Sequence, residues 1–335
     1  MTIRVGSNGF GRSGRLAMRV AWDSDLIEVV HVNEIAGNLE SAAHLIKFDS
    51  IHGTWGRNVS VCDVGKSLII DGSTVSYSQN WELENAAWSE ANVDLVIDCT
   101  GKFKSQESLA PYFQQGVNRV VVSAPIKDEI LNVVMGINDH LYADQPIVSA
   151  ASCTTNCLAP IIDVLLKEFG IKHASITTIH DLTNTQSVLD EHNVDLRRAR
   201  ASSLSLIPTS TGSATAITRI FPELAGCING LAVRVPLANA SLTDCVFELK
   251  TVTTKAAVNT AFKIAAESRL SGILGFEELP LVSADYTNDS RSGIVDGLST
   301  MVINGTQLKV LIWYDNEMGY VHRMMELTEK VALSM

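Results

Sequence analysis

Short apolar runs alternate with segments of helical spacing over the first 150 residues of the chain. The apolar runs predict buried strands over 2–7, 27–34, 94–101, 118–125 and 131–138. The segments of helical spacing predict helices over 11–22, 41–48 and 105–115. Two β-rich pieces, 58–62 and 67–79, interrupt the alternation, and the second contains a turn. Because strands that alternate with helices form parallel sheets, this pattern predicts a doubly wound α/β domain.

Beyond Pro160 the apolar pattern changes to longer runs of alternating residues, which are typical of antiparallel sheets. The predicted elements are a helix over 152–168, a strand over 173–182, β-structure over 230–250, a helix over 254–267, strands over 298–304 and 307–314, and a C-terminal helix from Glu317. We therefore expect a second domain of the α+β class at 152–316. The α/β domain is expected at 1–151, completed by the C-terminal segment 317–335.

Composition excludes several classes of protein. The 335 residues carry a formal charge of −11 and contain no long basic run, which disfavours nucleic-acid binding. No run of about 18 apolar residues occurs, so stable membrane insertion is not expected, and the N-terminus lacks the apolar core of a signal peptide. Six cysteines without a dense spacing pattern suit a reducing compartment. We expect a soluble cytoplasmic protein.

A glycine-rich turn follows the first predicted strand. Gly9, Gly11 and Gly14 have the spacing G-x-G-x-x-G, at the start of a predicted helix. Glycines there permit a tight turn and close approach of the backbone to a pyrophosphate at the helix N-terminus. Glu34 ends the second strand, where a carboxylate accepts from a ribose hydroxyl group and repels a 2′-phosphate. The motif predicts a Rossmann-type site for NAD rather than NADP; the alternative is a turn that only packs helix on strand.

Two later segments, "CTGKF" (99–103) and "SAP" (123–125), end strands at the same edge of the predicted sheet. A bound dinucleotide would lie along that edge. The candidate cofactor-binding residues of this half of the chain are Gly9, Phe10, Gly11, Arg12, Ser13, Gly14, Glu34, Thr100, Gly101 and Ser123.

The segment "SAASCTTNCLAP" (149–160) contains two cysteines four residues apart, one turn from each other on a helix. A metal site would need a second Cys/His pair, which is not evident, and a disulfide across one helical turn has poor geometry. Cys153 lies among small polar residues where a helix begins, which favours its thiolate, whereas Cys157 is followed by apolar residues and is interpreted as a core residue. His180 follows 27 residues later and can serve as the base for Cys153 if its strand adjoins that helix.

Several segments, in order along nearly the whole chain, resemble the glyceraldehyde-3-phosphate dehydrogenase family: "NGFGRSGR", "VVSAP", "SCTTNCLAP", "DLRRAR", "IPTSTGSA", "VRVP" and "WYDNEMGY". The resemblance implies that Cys153 attacks an aldehyde carbon and that hydride transfer to NAD leaves a thioester. Inorganic phosphate then releases an acyl phosphate. His180 is implied to be the base that also stabilises the developing oxyanion, and no catalytic metal is implied.

The resemblance also assigns two anion sites and one further cofactor contact. The substrate phosphate of glyceraldehyde 3-phosphate is implied to bind Thr183, Thr185 and Arg234. The attacking phosphate is implied to bind Ser152, Thr154, Arg198, Thr211 and Gly212. Asn316 is implied to hydrogen-bond the nicotinamide amide. The neighbouring Arg197 and Arg200 are interpreted either as part of this anion chemistry or as a solvated charged loop, and the family implies a homotetramer.

The chain departs from the family pattern at several positions. Ser7 and Ser13 stand where the family usually has isoleucine, and Glu34 replaces the usual aspartate. After His180 the family usually reads Ala-Tyr-Thr, but here the next residue is Asp181. If the strand continued through this position, Asp181 would point away from His180, so direct pairing is not expected. Glu191 and His192 replace residues of a loop that commonly lines a neighbouring subunit's cofactor site.

The role within the family stays open. The segments "VNEIAG", "TTIHDLTNTQ" and "NASLTDCVFE" resemble a subset associated with an organoarsenical efflux permease, for which arsenate would replace phosphate and yield 1-arseno-3-phosphoglycerate. Ordinary oxidation of glyceraldehyde 3-phosphate to 1,3-bisphosphoglycerate is the other main hypothesis. An erythrose-4-phosphate dehydrogenase, with water as acceptor, is a third. A non-catalytic protein that binds RNA or a partner is the alternative from another class.

Overall fold

The computed structural model describes residues 2–335, except for the side chain of Ala214. Over these residues the chain forms two compact units. One contains the residues up to Ser152 together with Val321–Met335, and the other contains Cys153–Tyr320. They are called the first and second domains below.

The first domain is built on a mostly parallel sheet. The strands of this domain are β1 (Ile3–Asn8), β2 (Ile27–Asn33), β3 (Phe48–Asp49), β4 (Gly53–Thr54), β5 (Val59–Cys62), β6 (Ser67–Ile70), β7 (Ser73–Ser78), β8 (Leu95–Asp98), β9 (Arg119–Val122) and β10 (Ile147–Ser149). Strands β3 and β4 pair with each other in a separate two-stranded sheet. Its helices are α1 (Arg12–Ala21), α2 (Leu39–Lys47) and α3 (Gln106–Gln114). The strand order β10-β9-β8-β1-β2-β7-β6-β5 is parallel from β10 to β7 and antiparallel beyond it. The predicted doubly wound sheet is therefore confirmed.

The predicted strand over 131–138 is wrong. Only Asn132 pairs with a strand, through an isolated parallel bridge to Ser149. Gly136 turns the chain at a φ of +76°, and the Asn138 amide closes the turn by accepting from the backbone N–H of Val134. A short apolar run can thus pack beside a sheet without joining it, and the sixth parallel strand is β10 instead.

The second domain carries the mainly antiparallel sheet that the sequence predicted. Its strands are β11 (Ile171–His180), β12 (Ile207–Ser210), β13 (Ile228–Arg234), β14 (Ser241–Leu249), β15 (Leu274–Glu277), β16 (Gly293–Asp296), β17 (Met301–Ile303) and β18 (Gln307–Tyr314). The strand order is β12-β13-β11-β14-β18-β16-β15, with β17 beside β18. Two neighbour pairs, β11–β13 and β15–β16, are parallel. Alternate residues of β14 are buried, as expected for a sheet with one covered face.

The helices of this half of the chain are α4 (Cys153–Glu168), α5 (Ser213–Ile220), α6 (Lys255–Glu267) and α7 (Met318–Ala332). Helix α4 is almost wholly buried as far as Leu165 and begins at Cys153. Helix α7 begins in the second domain, and from Val321 onward it belongs to the first.

Candidate active site and cofactor pocket

A cavity of about 260 Å³ opens in the first domain where β1, β2 and β8 end. Strand β1 lies between β2 and β8, the point at which the strand order of this sheet reverses. Doubly wound sheets bind nucleotides at this position, outside the carboxyl ends of the strands. The lining residues follow these strands and β7: Asn8, Gly9, Gly11, Asn33, Glu34, Ile35, Ala36, Asn80, Trp81, Cys99, Thr100, Lys102 and Phe103.

The glycine-rich segment that leads from β1 into α1 has no room for side chains at Gly9 or at Gly14, which lies in the first turn of the helix. Gly9 has a φ of +86°, and a Cβ there would lie 2.9 Å from the backbone carbonyl carbon of Cys99. A Cβ on Gly14 would lie 2.1 Å from the Gly9 carbonyl oxygen. Gly11 caps α1 without a side chain, has open space around it, and is followed by a first turn with no acidic residue. A phosphate group fits such an open helix N-terminus.

Glu34 places a carboxylate on the wall of the cavity. Its Oε2 accepts a hydrogen bond from the backbone N–H of Phe10 at 2.6 Å, and its Oε1 accepts from that of Ala36 at 2.8 Å. Each carboxylate oxygen has a further lone pair, so both can still accept from a hydroxyl group. The negative charge of Glu34 would repel a 2′-phosphate, so the cavity suits the adenosine half of NAD.

The cavity takes in only part of the predicted cofactor set. Those that line it are Gly9, Gly11, Glu34 and Thr100, and those that do not are Phe10, Arg12, Ser13, Gly14, Gly101 and Ser123. The side chain of Phe10 is buried, and the Arg12 guanidinium forms an ion pair with Asp49. The position of Thr100 is fixed by Asp98, which accepts hydrogen bonds from its backbone N–H and its hydroxyl group.

Nine residues of the cavity wall were not in the predicted cofactor set, and two of them, Trp81 and Lys102, contact each other. The ammonium group of Lys102 lies 4.3 Å from the centroid of the Trp81 ring, within cation–π distance. Trp81 follows β7 after a short turn, and Lys102 lies in the "CTGKF" segment. Their position beyond the carboxyl ends of strands is the signal that could have found them.

In the second domain, Cys153 begins α4 and faces His180, the last residue of β11. The Cys153 Sγ lies 3.8 Å from His180 Nε2 and 3.9 Å from the Thr154 hydroxyl oxygen. Burial alone would raise the pKa of the Cys153 thiol, but the hydrogen bond and positive charge of His180 outweigh burial and lower it. The α4 N-terminus acts in the same direction. The fold therefore places the thiol of Cys153 next to His180, the base that the sequence predicted for it.

Cys157 lies one turn further along α4 and has a different environment. It is fully buried, and its Sγ lies 3.9 Å from the Thr243 hydroxyl oxygen of β14. Burial raises the pKa of this thiol far above its ordinary value, although the Thr243 contact lowers it slightly. The two thiols thus differ as the sequence predicted: Cys153 is set up to ionise and Cys157 is not.

His180 is in contact with Asp181, which corrects the expectation that the two side chains diverge. The Nδ1 of His180 lies 2.9 Å from Asp181 Oδ1 and 3.0 Å from the Asp181 backbone oxygen. Strand β11 ends at His180, so the alternation of a strand does not extend to Asp181, whose backbone N–H donates to the Ser241 hydroxyl group. Burial lowers the pKa of His180, but Asp181 and Cys153 more than reverse this and raise it to about 9.

Arg234 and Tyr314 complete the cluster around His180. Arg234 ends β13 directly opposite His180 in the parallel register, and its Nη1 lies 2.8 Å from His180 Nδ1. The Tyr314 hydroxyl group lies 3.0 Å from that of Thr154, and its ring packs edge-on against His180 with centroids 6.3 Å apart. Tyr314 was not foreseen, although it stands two residues before Asn316 in "WYDNE".

Hydrogen bonds hold several of the predicted anion-binding residues in place. The hydroxyl oxygens of Thr183 and Thr185 lie 2.9 Å apart just beyond β11. Arg198 donates from Nε to the Thr209 hydroxyl group at 2.9 Å. Burial lowers the pKa of Arg234, the Cys153 thiolate raises it, and the Arg198 charge lowers it again. Two guanidinium groups close enough to repel each other favour an anion near both.

The other members of the predicted anion set lie at chain turns. Gly212 precedes α5, and the Thr211 hydroxyl group donates to that of Ser213 at 3.1 Å. Ser152 is the residue before Cys153 along the chain. The neighbouring arginines both contact other residues of the chain. Arg197 donates to the Pro208 carbonyl group at 3.4 Å, and Arg200 pairs with Asp190 at 3.1 Å.

Asn316 is buried in the second domain between β18 and α7. Its Oδ1 accepts a hydrogen bond from the Ser241 hydroxyl group at 3.1 Å. The preceding Asp315 accepts from the backbone N–H groups of Glu317 and Met318 at 2.8 Å, which caps the start of α7. The orientation of the Asn316 amide is therefore set by its neighbours.

Residues 2–335, the part of the chain that the structure describes, contain no group of three or more His, Cys, Asp or Glu side chains arranged to bind a metal ion. Within the same range no helix combines the length and the apolar character needed to cross a bilayer.

Comparison with known proteins identifies the family. Residues 3–106 match the model of the glyceraldehyde 3-phosphate dehydrogenase NAD binding domain, and residues 152–316 match that of the C-terminal domain. The chain is 57% identical to glyceraldehyde-3-phosphate dehydrogenase 3 of Nostoc sp., over the full length of both chains. It is 46% identical to glyceraldehyde-3-phosphate dehydrogenase of Geobacillus stearothermophilus, over 99% of each chain. The chain therefore belongs to the glyceraldehyde-3-phosphate dehydrogenase family, and it is an NAD-dependent dehydrogenase of that type.

Proposed function

We propose that the chain oxidises glyceraldehyde 3-phosphate to 1,3-bisphosphoglycerate through a thioester on Cys153, with NAD as the oxidant. The observation that carries this proposal is the pair formed by Cys153 Sγ and His180 Nε2, 3.8 Å apart at the start of a helix. A thiol with a lowered pKa beside an imidazole with a raised one is the arrangement of a thiolate–imidazolium pair.

The chemistry of the two side chains follows from this pair. The Cys153 thiolate adds to the aldehyde carbon, and the resulting oxyanion takes the proton from His180 Nε2 to give a thiohemiacetal. Neutral His180 then removes the hydroxyl proton while the carbon loses hydride, which leaves a thioester on Cys153. When bound, NAD supplies the acceptor for that hydride. Attack of phosphate on the thioester carbon expels the thiolate and forms the acyl phosphate.

The anion-binding roles belong to the same proposal. Arg234 with Thr183 and Thr185 would hold the phosphate of the substrate, and Arg198 with Thr154, Thr211, Gly212 and Ser152 would hold the attacking anion. Guanidinium groups, hydroxyl groups and backbone N–H groups are the donors that such tetrahedral anions need.

Binding of NAD is proposed to use the first domain, with Asn316 of the second as a nicotinamide contact. The pyrophosphate would bind at the α1 N-terminus beside Gly9 and Gly11, and the adenosine ribose would bind Glu34. The remaining residues of the predicted set would support these contacts: Phe10, Arg12, Ser13, Gly14, Thr100, Gly101 and Ser123. The domain limits proposed from the sequence, 1–151 with 317–335 and 152–316, fit this division of roles.

Assembly and compartment are also proposals. Six large apolar side chains are exposed between residues 188 and 206: Val188, Leu189, Val194, Leu196, Leu204 and Leu206. Such a concentration supports burial against other subunits, in keeping with the proposed homotetramer. The free cysteines support a reducing compartment such as the cytoplasm.

Arsenate is proposed as an alternative acyl acceptor to phosphate. The two ions share charge and tetrahedral shape, so the guanidinium and hydroxyl donors of Arg198 and Thr211 have little means of distinguishing them. The product would then be 1-arseno-3-phosphoglycerate. With arsenate as the physiological acceptor, its formation would serve arsenate resistance.

The test is reduction of NAD by purified protein with glyceraldehyde 3-phosphate and phosphate, arsenate or neither anion. The proposal predicts sustained turnover only with an added oxyanion, and faster turnover with arsenate would favour the arsenate role. Turnover of erythrose 4-phosphate without either anion would instead show that water is the acceptor. Arg198→Ala should raise the KM for phosphate at least tenfold, whereas the control Arg200→Ala, in the same loop but paired with Asp190, should leave it unchanged within twofold.

A further inference from the structure

Asp181 is an ionisable residue buried beside the catalytic pair. Its side chain lies in the core of the second domain, and the residue is only 1% exposed. Burying a carboxylate is costly unless opposite charges lie nearby. Here His180 is 2.9 Å from Oδ1, and the Arg234 Nη1 is 3.3 Å from the Asp181 backbone oxygen. The position of the carboxyl group thus points to a function connected with His180.

Three groups compete for the Nδ1 atom of His180. The backbone oxygen of Asp181, at 3.0 Å, can only accept, so it requires a proton on Nδ1. The Asp181 carboxylate lies 2.9 Å from Nδ1, but among the described residues neither of its oxygens has a hydrogen-bond partner, so it acts on that proton through its charge. The Arg234 Nη1, at 2.8 Å, can only donate, so it requires a lone pair there. These demands exclude each other. A negative charge at Asp181 decides between them, because it attracts the Nδ1 proton.

The other charged and titratable groups around His180 do not replace this contribution. Cys153 faces Nε2, on the opposite side of the ring, and Tyr314 packs against the ring edge. The Arg234 charge disfavours a protonated imidazole. Glu317 acts on Asp181, where its charge adds to the effect of burial in raising the pKa of the carboxyl group.

We propose that Asp181 is a positioning residue for His180: its carboxylate keeps the proton on Nδ1 and leaves Nε2 as the atom that exchanges a proton with Cys153. The catalytic part of this inference rests on the proposed function, but its effect on the thiol does not. The raised pKa of His180, about 9, agrees with it, since Asp181 is the largest of the causes that raise it.

The test compares Asp181→Asn, which removes the charge and keeps the shape, with wild type. Removing an opposite charge from contact distance should lower the pKa of His180 by about one to three units. The rate of Cys153 alkylation by iodoacetamide is measured from pH 5 to 10, with labelling assigned by mass spectrometry. The alkaline inflection, at which the imidazolium loses its proton, should move down by at least one unit. The matched control is Asp244→Asn, a carboxylate of β14 that pairs with Lys309, and it should leave the inflection in place.

Three results would overturn the proposal. The first is a folded Asp181→Asn protein whose inflection lies within 0.3 units of wild type, which would mean that the Asp181 carboxyl group is uncharged. The second is an equal shift in Asp244→Asn. The third is failure of both Asp181→Asn and Asp181→Ala to fold, which would give the carboxylate a structural role; if only Asp181→Asn fails, Asp181→Ala takes its place.

Activity provides the second readout. With the triose phosphate as substrate, the alkaline limb of kcat/KM should move down with the alkylation inflection, and kcat at pH 8.5 should fall about tenfold while KM changes less than twofold. Absence of any NAD reduction in the wild-type protein would refute the proposed function alone. The alkylation profile would still decide the role of Asp181, so the two failures are distinguishable.

Discussion

Replacing His180 by asparagine should make Cys153 a much weaker nucleophile near neutral pH. The substitution removes the imidazolium charge 3.8 Å from Sγ and keeps a polar side chain. At an effective dielectric constant of about 20, two unit charges at that distance attract each other by about 4 kcal/mol, which corresponds to about 3 pKa units. We take this as the full size of the rise in the pKa of Cys153 and expect a smaller one where solvent replaces part of the lost stabilisation. The Thr154 contact and the start of α4 favour the thiolate equally in both proteins, so they do not enter the difference.

The assay is the second-order rate of iodoacetamide labelling of Cys153 at pH 7. Since the rate follows the thiolate fraction, His180→Asn should slow it by at least tenfold and at most about a thousandfold. Loss of a neighbouring positive charge raises the pKa of the thiol, so the labelling rate of the variant should recover as the pH rises. Cys157 is an internal control because it is buried, and it should stay unlabelled in both proteins.

A His180→Asn rate within threefold of wild type, in a protein that melts at the same temperature, would refute this reasoning. It would mean that the start of the helix alone activates the thiol. Labelling of Cys157 ahead of Cys153 would overturn the assignment of the two cysteines.

Three further predictions concern the core and the cofactor pocket. Cys157→Ala should lower the free energy of unfolding by about 1 kcal/mol in urea denaturation and leave NAD reduction within twofold of wild type; loss of activity would mean that this thiol takes part in the chemistry. Gly14→Ala should weaken NAD binding at least tenfold in a fluorescence titration, because its Cβ would lie 2.1 Å from the Gly9 carbonyl oxygen, and unchanged affinity would contradict the close packing of this loop. Glu34→Gln should lower the ratio of kcat/KM for NAD to that for NADP at least tenfold, since it removes the charge that repels a 2′-phosphate; an unchanged ratio would place the discrimination elsewhere.

The elements that were predicted correctly are those whose local sequence pattern reflects the way in which they pack in the fold. The parallel strands of the first domain are buried on both faces, so they read as apolar runs such as the one around Leu95–Asp98. The run at 131–138 has the same character, but Gly136 and Asn138 turn it before it can pair. Strand pairing depends on residues far away in the sequence, and an apolar run contains no information about which strand it will pair with.

The contacts of the candidate site also differ in whether the sequence alone could predict them. The pairing of Cys153 with His180 could be predicted because a helix start and a strand end place each residue. The contact of Asp181 with His180 could not, because it depends on the strand ending at His180, two residues before the end that the apolar pattern predicts. Tyr314 reaches Thr154 through the register of β18 on β14, which no local pattern encodes.

The most direct test of the central claim, a thioester on Cys153, is a single-turnover reaction with glyceraldehyde 3-phosphate and excess NAD in buffer free of phosphate and arsenate. The account predicts a burst of close to one equivalent of NADH per chain, followed by a stall. A peptide containing Cys153 should then carry the mass of the phosphoglyceryl group, and added phosphate should remove that mass and restart turnover. Steady NADH production without an added oxyanion, or an acyl group on any residue other than Cys153, would contradict the account.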